Sequence, residues 1–142
     1  MMKARKNILI LLFAAMLAVL CVLSLSSVGE WQVTESGSAV EGVTVHLKEA
    51  QFDTDKPYIT VELRNETAAA FSYGGDLSVV RLTDGRWESC ATEPIFYTSV
   101  GHTLFDEETE TYYLRGFDLR SPGRYRFFFC GSKLWIEFEK TR

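Results

Sequence analysis

Cys90 and Cys130 are the two residues whose type and position point most directly to chemistry. The chain has three cysteines, and the third, Cys21, lies in an apolar run near the N-terminus. Two thiols can form a disulfide, bind a metal or stay inert, and disulfides persist in oxidising compartments such as the cell exterior. A bridge would close a loop of roughly 40 residues and would stabilise the fold by about 3–4 kcal/mol in the chain-entropy model. We predict this disulfide, provided that the fold brings the two Cα atoms within about 7 Å.

The remaining reactive side chains do not form a recognisable catalytic set. His46 and His102 are far apart in the sequence, and neither belongs to an H-x-x-x-H pair that would suggest a metal site. The sequence contains no G-x-S-x-G motif, and Ser89, which precedes Cys90, has no histidine at an informative distance. We predict that the protein is not an enzyme and that it needs no cofactor and no metal.

Three polar motifs have structural explanations. The acidic run at 106–110 lacks the alternating layout of a calcium loop, so it predicts a solvated loop or a charged sheet edge. The N-E-T sequon at 65–67 predicts a turn rather than a glycan. The glycine pair at 74–75 predicts a bend or bulge rather than a phosphate-binding loop.

The N-terminus has the pattern of an export signal. The segment 1–7 is basic, and the segment 8–25 contains no charged residue. That apolar run exceeds the usual signal-peptide core and just reaches the length that spans a bilayer. Residues 1–29 are therefore predicted to be a cleaved signal peptide or an uncleaved anchor. Acylation of Cys21 is less favoured because Leu20 is too large for the position before a lipidated cysteine.

Charge and composition narrow the possible partners. The chain has 142 residues, is 46% hydrophobic and has a formal net charge of −4. All acidic residues lie at or beyond Glu30, so the part outside the apolar run is more acidic than the whole chain. This part has no strongly basic surface for phosphates, which excludes nucleic acid as a partner. By the positive-inside tendency the basic N-terminus stays in the cytoplasm, so we predict an extracytoplasmic domain that is membrane-anchored or secreted.

The rest of the chain predicts an all-β fold. The polar segment 30–40 is interpreted as a linker, and residues 41–142 as one domain. Short segments alternate between apolar and polar residues and are separated by turns, which is typical of an antiparallel sandwich of about seven strands. Gly85 supplies the turn of a hairpin that places Trp87 in the next strand. The predicted strands are 42–52, 57–65, 76–82, 86–90, 110–119, 123–130 and 133–140.

The segment around Tyr125 indicates that the predicted sandwich is immunoglobulin-like. Tyr125 follows a tight turn that contains Gly123, and this context predicts a tyrosine corner, in which the hydroxyl bonds to upstream backbone. Phe127 stands where antibody domains carry their second core cysteine, so an apolar side chain replaces the usual cystine there. Alternation places Tyr125, Phe127 and Phe129 inward and places Cys130 on the opposite face.

The order of the motifs resembles a known family. The segments PYITVELRNET, FSYGGDLSVVRLTDGRW and LRSPGRYRF are similar to those of bacterial immunoglobulin-like domains in envelope proteins of Gram-positive bacteria. Gly85 and Trp87 match the family's hairpin motif, and Gly123 and Tyr125 match its late strand. The PGE turn that is common in the family is missing at 105–110. The resemblance implies the fold and an extracytoplasmic setting, but it implies no ligand and no catalytic residue.

Two function classes follow. The first is a non-catalytic binding or accessory module of the cell envelope that presents a sheet or a loop end to a protein, peptide or glycan. The second is a small secreted inhibitor or sensor that docks an enzyme through its loops. Tyr58, Phe128 and Trp135 are candidates for an exposed aromatic patch. The alternative is that some of these side chains belong to the edge of the second sheet or contact the linker. The segment 8–25 would contact the membrane if it is not cleaved.

Overall fold

The computed structural model describes residues 30–97 and 100–142. The predicted signal or anchor helix, including Cys21, lies outside these residues. Within the described residues no helix is long and apolar enough to cross a membrane.

The described residues form ten strands. They are β1 (Trp31–Ser38), β2 (Val43–Gln51), β3 (Tyr58–Asn65), β4 (Phe71–Gly74), β5 (Leu77–Thr83), β6 (Arg86–Ser89), β7 (Gly101–Leu104), β8 (Glu107–Tyr113), β9 (Gly123–Phe129) and β10 (Leu134–Lys140).

All strand pairs are antiparallel and form two main sheets. The larger sheet has the order β1-β10-β9-β5-β6, and the smaller one has the order β2-β3-β8. Strands β4 and β7 pair only with each other and form a separate two-stranded ribbon. The all-β antiparallel architecture is therefore as predicted, with ten strands where the sequence suggested about seven.

One hydrophobic core lies between the two main sheets. Tyr125, Phe127 and Phe129 of β9 are fully buried, and they pack in the same cluster as the inward residues of the smaller sheet. Alternation predicted these faces correctly because each inward side chain is followed by an outward one. Among the described residues, the other core positions that are 0% exposed are Ile59, Val61, Leu63, Leu104, Leu134 and Ile136.

The linker interpretation of residues 30–40 is wrong. Residues Trp31–Ser38 form β1, which pairs with β10 along its whole length. The strand is polar because it is a sheet edge with most of its side chains exposed, and an irregularity between Val33 and Glu35 interrupts its alternation. These two features hide the strand signal in the sequence.

The other unpredicted strands are too short to show a period. Strands β4 and β7 have four residues each, and Gly74, which the sequence predicted to be a bend, is the last residue of β4. Strand β8 also starts earlier than predicted and ends at Tyr113, because the amide of Leu114 donates to the carbonyl of Pro57 and leaves the strand ladder.

The two predicted turn glycines have positive φ angles. Asp84 and Gly85 have φ angles of 49° and 78°, and the flanking Thr83 and Arg86 pair with each other. This is the two-residue hairpin turn that the sequence predicted. Gly123, with a φ of 138°, begins β9 and brings the backbone close to the side chain of Arg81.

The tyrosine corner is confirmed. The hydroxyl of Tyr125 donates a hydrogen bond to the carbonyl oxygen of Ser121, four residues upstream. Phe127 fills the adjacent core position and is completely buried. Cys130 was predicted to face away from the core, but it is 2% exposed. Its φ of 55° takes it out of strand geometry and turns the thiol inward.

Candidate binding face

The outward side of the larger sheet carries the most distinctive cluster of side chains, and we call it the outer face. It includes Trp87 of β6, Arg124, Arg126 and Phe128 of β9, and Trp135 and Glu137 of β10. Because Tyr125, Phe127 and Phe129 point into the core, the residues between them point outward. The register of β9 with β10 then places Arg126 opposite Glu137 and Phe128 opposite Trp135.

Arg126 lies between an aromatic ring and a carboxylate. Its guanidinium carbon is 4.7 Å from the ring centroid of Trp87, and its Nε donates to Oε2 of Glu137 at 2.7 Å. Arg124 makes the same two contacts. Its guanidinium carbon is 5.9 Å from the ring centroid of Trp87, and its Nε donates to Oε1 of Glu137 at 2.9 Å. One carboxylate therefore orients two guanidinium groups beside one indole.

Glu137 is the buried centre of this cluster. Its side chain is 2% exposed, and this burial alone would raise the pKa of the carboxyl group. The hydrogen bonds from Arg126 and Arg124 outweigh the burial, so the pKa of Glu137 lies below its ordinary value. Glu137 is therefore ionised at neutral pH and holds both arginines in place.

The cluster remains accessible from solvent. Trp87 is 36% exposed, and the side chain of Arg124 is 47% exposed. Tryptophan and arginine are enriched among the residues that dominate the energy of protein interfaces. Both arginines are held in place by Glu137, so their side chains have already lost much of their rotamer freedom in the folded domain.

A second aromatic pair extends the outer face. The rings of Phe128 and Trp135 are 6.5 Å apart and tilted by 52°. Trp135 lies against Gly37 of β1, where an added Cβ would be 2.2 Å from the indole ring. Gly37 is therefore the residue that lets the indole lie against the edge strand.

The predicted aromatic patch is divided between the two sheets. Phe128 and Trp135 are half-buried neighbours on the outer face. Tyr58 belongs to the other sheet, where its hydroxyl donates to Oε1 of Glu49 at 2.6 Å. The three residues therefore do not form one patch.

The predicted disulfide is not formed, and the strand order explains why. Cys90 and Cys130 are free thiols, and both are buried. Strand β5 lies between β6 and β9, and the amide of Cys90 donates to the carbonyl of Val79, which pairs with Phe127. Cys130 is two strands and three residues away, which amounts to about 14 Å at ordinary sheet spacings. The bridge prediction is wrong because that distance is about twice what a disulfide can span.

The two thiols are not activated as nucleophiles. Burial raises the pKa of Cys90 to about 11 and that of Cys130 to about 12. Cys90 lines a polar cavity of about 250 Å³ together with Arg81 and Asp118. Asp118 is itself engaged by the guanidinium of Arg120, whose hydrogen bonds lower the pKa of Asp118 to about 2. This cavity therefore presents a protonated thiol and an ion-paired carboxylate.

The histidines and the acidic run also have structural partners. Nε2 of His46 is 3.0 Å from the hydroxyl of Thr44 on the same strand. The ring of His102 stacks on Tyr73, and the Tyr73 hydroxyl is within hydrogen-bond distance of Glu108 and Glu110. The acidic run thus forms the edge strand β8, which is one of its two predicted states. Within the described part of the chain, no group of three or more His, Cys, Asp and Glu residues is placed to hold a metal.

The sequon asparagine forms the turn that the sequence predicted. Asn65 is 5% exposed, and its Nδ2 donates to the carbonyl oxygens of Ala69 and Leu104. Its Oδ1 accepts hydrogen bonds from the amide and the hydroxyl of Thr67. Both polar atoms of the side chain are thus hydrogen-bonded, and the side chain is inaccessible in the folded state.

Sequence reasoning identified Trp87 as a motif residue but missed its arginine partners. Alternation along β9 and β10 does place Arg124, Arg126 and Glu137 on one side of the sheet. Their contact with Trp87 depends on β5 separating β6 from β9, and strand order is not encoded in the period of any one segment. The available signal was the alternation of arginines with inward aromatics in RYRFFF.

The fold is an immunoglobulin-like β-sandwich, and the outer face lies on its five-stranded sheet. The chain belongs to the bacterial Ig-like domain family, whose model matches residues 39–128. Neither the curated proteins nor the solved structures gave a match. Strands β1 and β10 lie outside the matched range, so Trp135 and Glu137 of the outer face come from a part of the chain that the family model does not cover.

Proposed function

We propose that this chain is a non-catalytic binding or accessory module of the bacterial cell envelope, and that it binds its partner through the outer face of its five-stranded sheet. The observation that carries this proposal is the placement of Arg126 between the Trp87 ring and the buried Glu137 carboxylate. Membership of the bacterial Ig-like family supports an accessory role.

The energetic argument rests on preorganisation. A free arginine side chain loses about 2 kcal/mol of rotamer freedom when it is immobilised in an interface. In this domain Arg126 is already held from two sides, so most of that loss has occurred on folding. A partner that covers Trp87 would also remove water from the cation–π pair, and such pairs strengthen when they are desolvated.

The proposed location is outside the cytoplasm. It is supported by the basic start and the long apolar run within residues 1–29. Protease treatment of intact cells that carry a C-terminally tagged chain tests it: the tag is lost if the domain is outside. A tag that survives until the cells are lysed would overturn the extracytoplasmic proposal.

Site-specific photocrosslinking in cells tests the binding face. Ser89 is exposed and lies in the same cross-strand row as Arg126, with Val80 between them. A benzophenone amino acid at Ser89 should give a discrete crosslinked product. The matched control is Thr109, an exposed hydroxyl residue on the smaller sheet, where no such product is expected.

A second substitution makes the test specific. Trp87→Ala in the chain with the crosslinker at Ser89 should abolish the product while the amount of folded protein stays the same. Equal crosslinking from positions 89 and 109, or a product that survives Trp87→Ala, would contradict the proposed face.

One observation favours the second function, a secreted inhibitor or sensor that docks through its loops. Phe96, in the segment after β6, is 91% exposed, and Phe105, in the turn before β8, is 68% exposed. Crosslinkers at these positions and at Ser89 compare the loop end with the outer face directly. A processed chain in the culture medium that crosslinks only through Phe96 would favour the second function.

A further inference from the structure

Strand β6 is an open edge of the larger sheet. It ends the five-stranded order, and no strand of the described residues pairs with its far side. All four of its residues are exposed, and they follow β5 in a regular register from Arg86, opposite Thr83, to Ser89, opposite Val80. An edge strand of this kind presents main-chain N–H and C=O groups that can pair with a further strand.

The other edge strands of the two main sheets carry features that oppose such pairing. Strand β1 has an irregularity between Val33 and Glu35, and β2 has one between Leu47 and Glu49. Strand β8 contains the acidic run, so a second copy of it would be repelled. Strand β6 contains no proline and no lysine, its register is unbroken, and it carries one charge of each sign.

The hairpin turn determines which main-chain groups of β6 face the open edge. Thr83 and Arg86 close the two-residue turn, so they form a hydrogen-bonded pair. Four residues further on, the amide of Cys90 donates to the carbonyl of Val79. The residues at even positions therefore direct their amides and carbonyls toward β5. Because this direction alternates along a strand, the N–H and C=O groups of Trp87 point to the open edge.

Two exposed side chains of β6 have opposite charges and the same orientation. Arg86 and Glu88 are two residues apart, so both project to the side of the sheet that is opposite to Trp87 and the outer face. The ion pairs among the described residues include neither of them. Arg81, the cross-strand neighbour of Glu88, is also not within ion-pair distance of it. Both charges are therefore free to pair with another strand.

We propose that β6 pairs with β6 of a second copy of this chain, antiparallel about a two-fold axis, so that the two five-stranded sheets become one. The axis passes between the two Trp87 residues, whose N–H and C=O groups exchange two hydrogen bonds. Arg86 of each copy then lies opposite Glu88 of the other copy, in the type of pair in which side chains are closest. The two-fold axis repeats this ion pair on both sides of the tryptophans.

The charges select this register over its neighbours. A shift of two residues in one direction places Glu88 opposite Glu88 of the second copy, and a shift in the other direction places Arg86 opposite Arg86. Like charges that lie directly opposite each other are destabilising. Of the three registers, only the one centred on Trp87 pairs opposite charges.

The short strand makes the contact small. It consists of two main-chain hydrogen bonds, two ion pairs and the contact between two tryptophans. Such a small interface is typical of a weak association, so the pairing is best detected by covalent trapping of the full chain in cells.

Photocrosslinking between two differently tagged copies in the same cells tests the pairing. A benzophenone amino acid at position 87 keeps an aromatic group at the axis and leaves both charges in place, so it should give a product that carries both tags. The matched control is Tyr113, an exposed aromatic residue at the end of the acidic edge strand β8, where no such product is expected. No product with both tags from position 87, or equal amounts from positions 87 and 113, would overturn the pairing.

Charge variants of the copies that carry this crosslinker test the register. Glu88→Arg in both copies places arginines opposite arginines, and Arg86→Glu in both copies places glutamates opposite glutamates. Each should lower the amount of the product with both tags about tenfold. One copy with Glu88→Arg and one with Arg86→Glu recover both opposite-charge pairs and should restore the product, which also shows that both variants fold. The same amount of product in every combination would contradict the proposal.

A disulfide trap measures the register directly. With Arg86→Cys in one copy and Glu88→Cys in the other, the two new cysteines lie opposite each other at a distance that a disulfide spans. Copper phenanthroline should oxidise them to a mixed dimer. With Glu88→Cys in both copies the cysteines are diagonal neighbours, about 7–8 Å apart, and should not be bridged. Equal bridging in the two experiments would rule out the register centred on Trp87.

The composition of the crosslinked product separates this inference from the proposed function. Glu88→Arg leaves every residue of the outer face unchanged, so a crosslink from Ser89 to a different protein should persist in this variant while the product with both tags decreases. A product that contains a different protein reports the outer face, and a product with both tags reports the pairing of β6. Either proposal can therefore fail while the other holds.

Discussion

Arg126 and Trp87 meet across a strand that separates them. The guanidinium carbon of Arg126 is 4.7 Å from the centroid of the Trp87 ring, although β5 lies between β9 and β6 in the sheet. The contact is possible because both side chains point to the same side of the sheet. It makes Trp87 a surface residue held by a cation rather than part of the core.

Trp87→Ala should therefore have a small effect on stability. An exposed cation–π pair contributes about 0.5–1 kcal/mol, so the free energy of unfolding in urea should fall by about 1 kcal/mol. Tyr113→Ala, at an exposed aromatic on the smaller sheet, is the matched control. A loss above about 3 kcal/mol would mean that Trp87 is needed for the core.

Glu137→Gln should destabilise the domain and make its stability less dependent on pH in the acid range. The folded state lowers the pKa of Glu137, so the carboxylate contributes stability that is fully present above its unfolded pKa of about 4.5 and is lost as the pH falls through the lower folded value. Removing the buried charge from between two arginines should cost about 2–3 kcal/mol at pH 7.

Urea unfolding between pH 7 and pH 3 measures this effect. The difference in the free energy of unfolding between wild type and Glu137→Gln should be constant near neutral pH and should become smaller in acid. Glu139→Gln, at the exposed neighbour on the same strand, should change the curve little. Parallel curves for wild type and Glu137→Gln down to pH 3 would contradict the role of the ionised carboxylate.

Cys90 and Cys130 should remain reduced after purification in air. Their separation prevents an intramolecular bridge, and burial raises the pKa of Cys90 to about 11, so only about one molecule in ten thousand carries a Cys90 thiolate at pH 7. Intact mass after alkylation should show both labels in denaturant and neither in the native domain. A thermal midpoint that falls when reductant is added would contradict the strand order given above.

Tyr125→Phe should lower the free energy of unfolding by about 1–2 kcal/mol. The substitution keeps the buried ring and removes the hydroxyl that donates to the Ser121 carbonyl, leaving that acceptor without its partner. Thermal and urea unfolding measure the loss. Tyr113→Phe, which also removes one hydroxyl but at an exposed site, should be neutral, and equal effects of the two changes would argue against the tyrosine corner.

The sequence by itself determined the strands and turns whose signals are local. Alternation in GRYRFFFC and KLWIEFEK predicted which side chains enter the core, because successive residues of a strand must face opposite sides. Asp84-Gly85 predicted its turn because glycine adopts positive φ without strain. The motifs around Tyr125 predicted the corner and led to the immunoglobulin-like family. Each of these inferences depends on residues close together in the chain.

The tertiary structure alone decided how distant segments are paired. It showed that Trp31–Ser38 is an edge strand, that β5 separates Cys90 from Cys130, and that Trp87 meets Arg126 across that same strand. It also showed that the indole N–H of Trp31 is buried without a hydrogen-bond partner among the described residues. These relationships depend on strand order and register over separations of about 40 residues or more, which no period or turn motif within a single segment encodes.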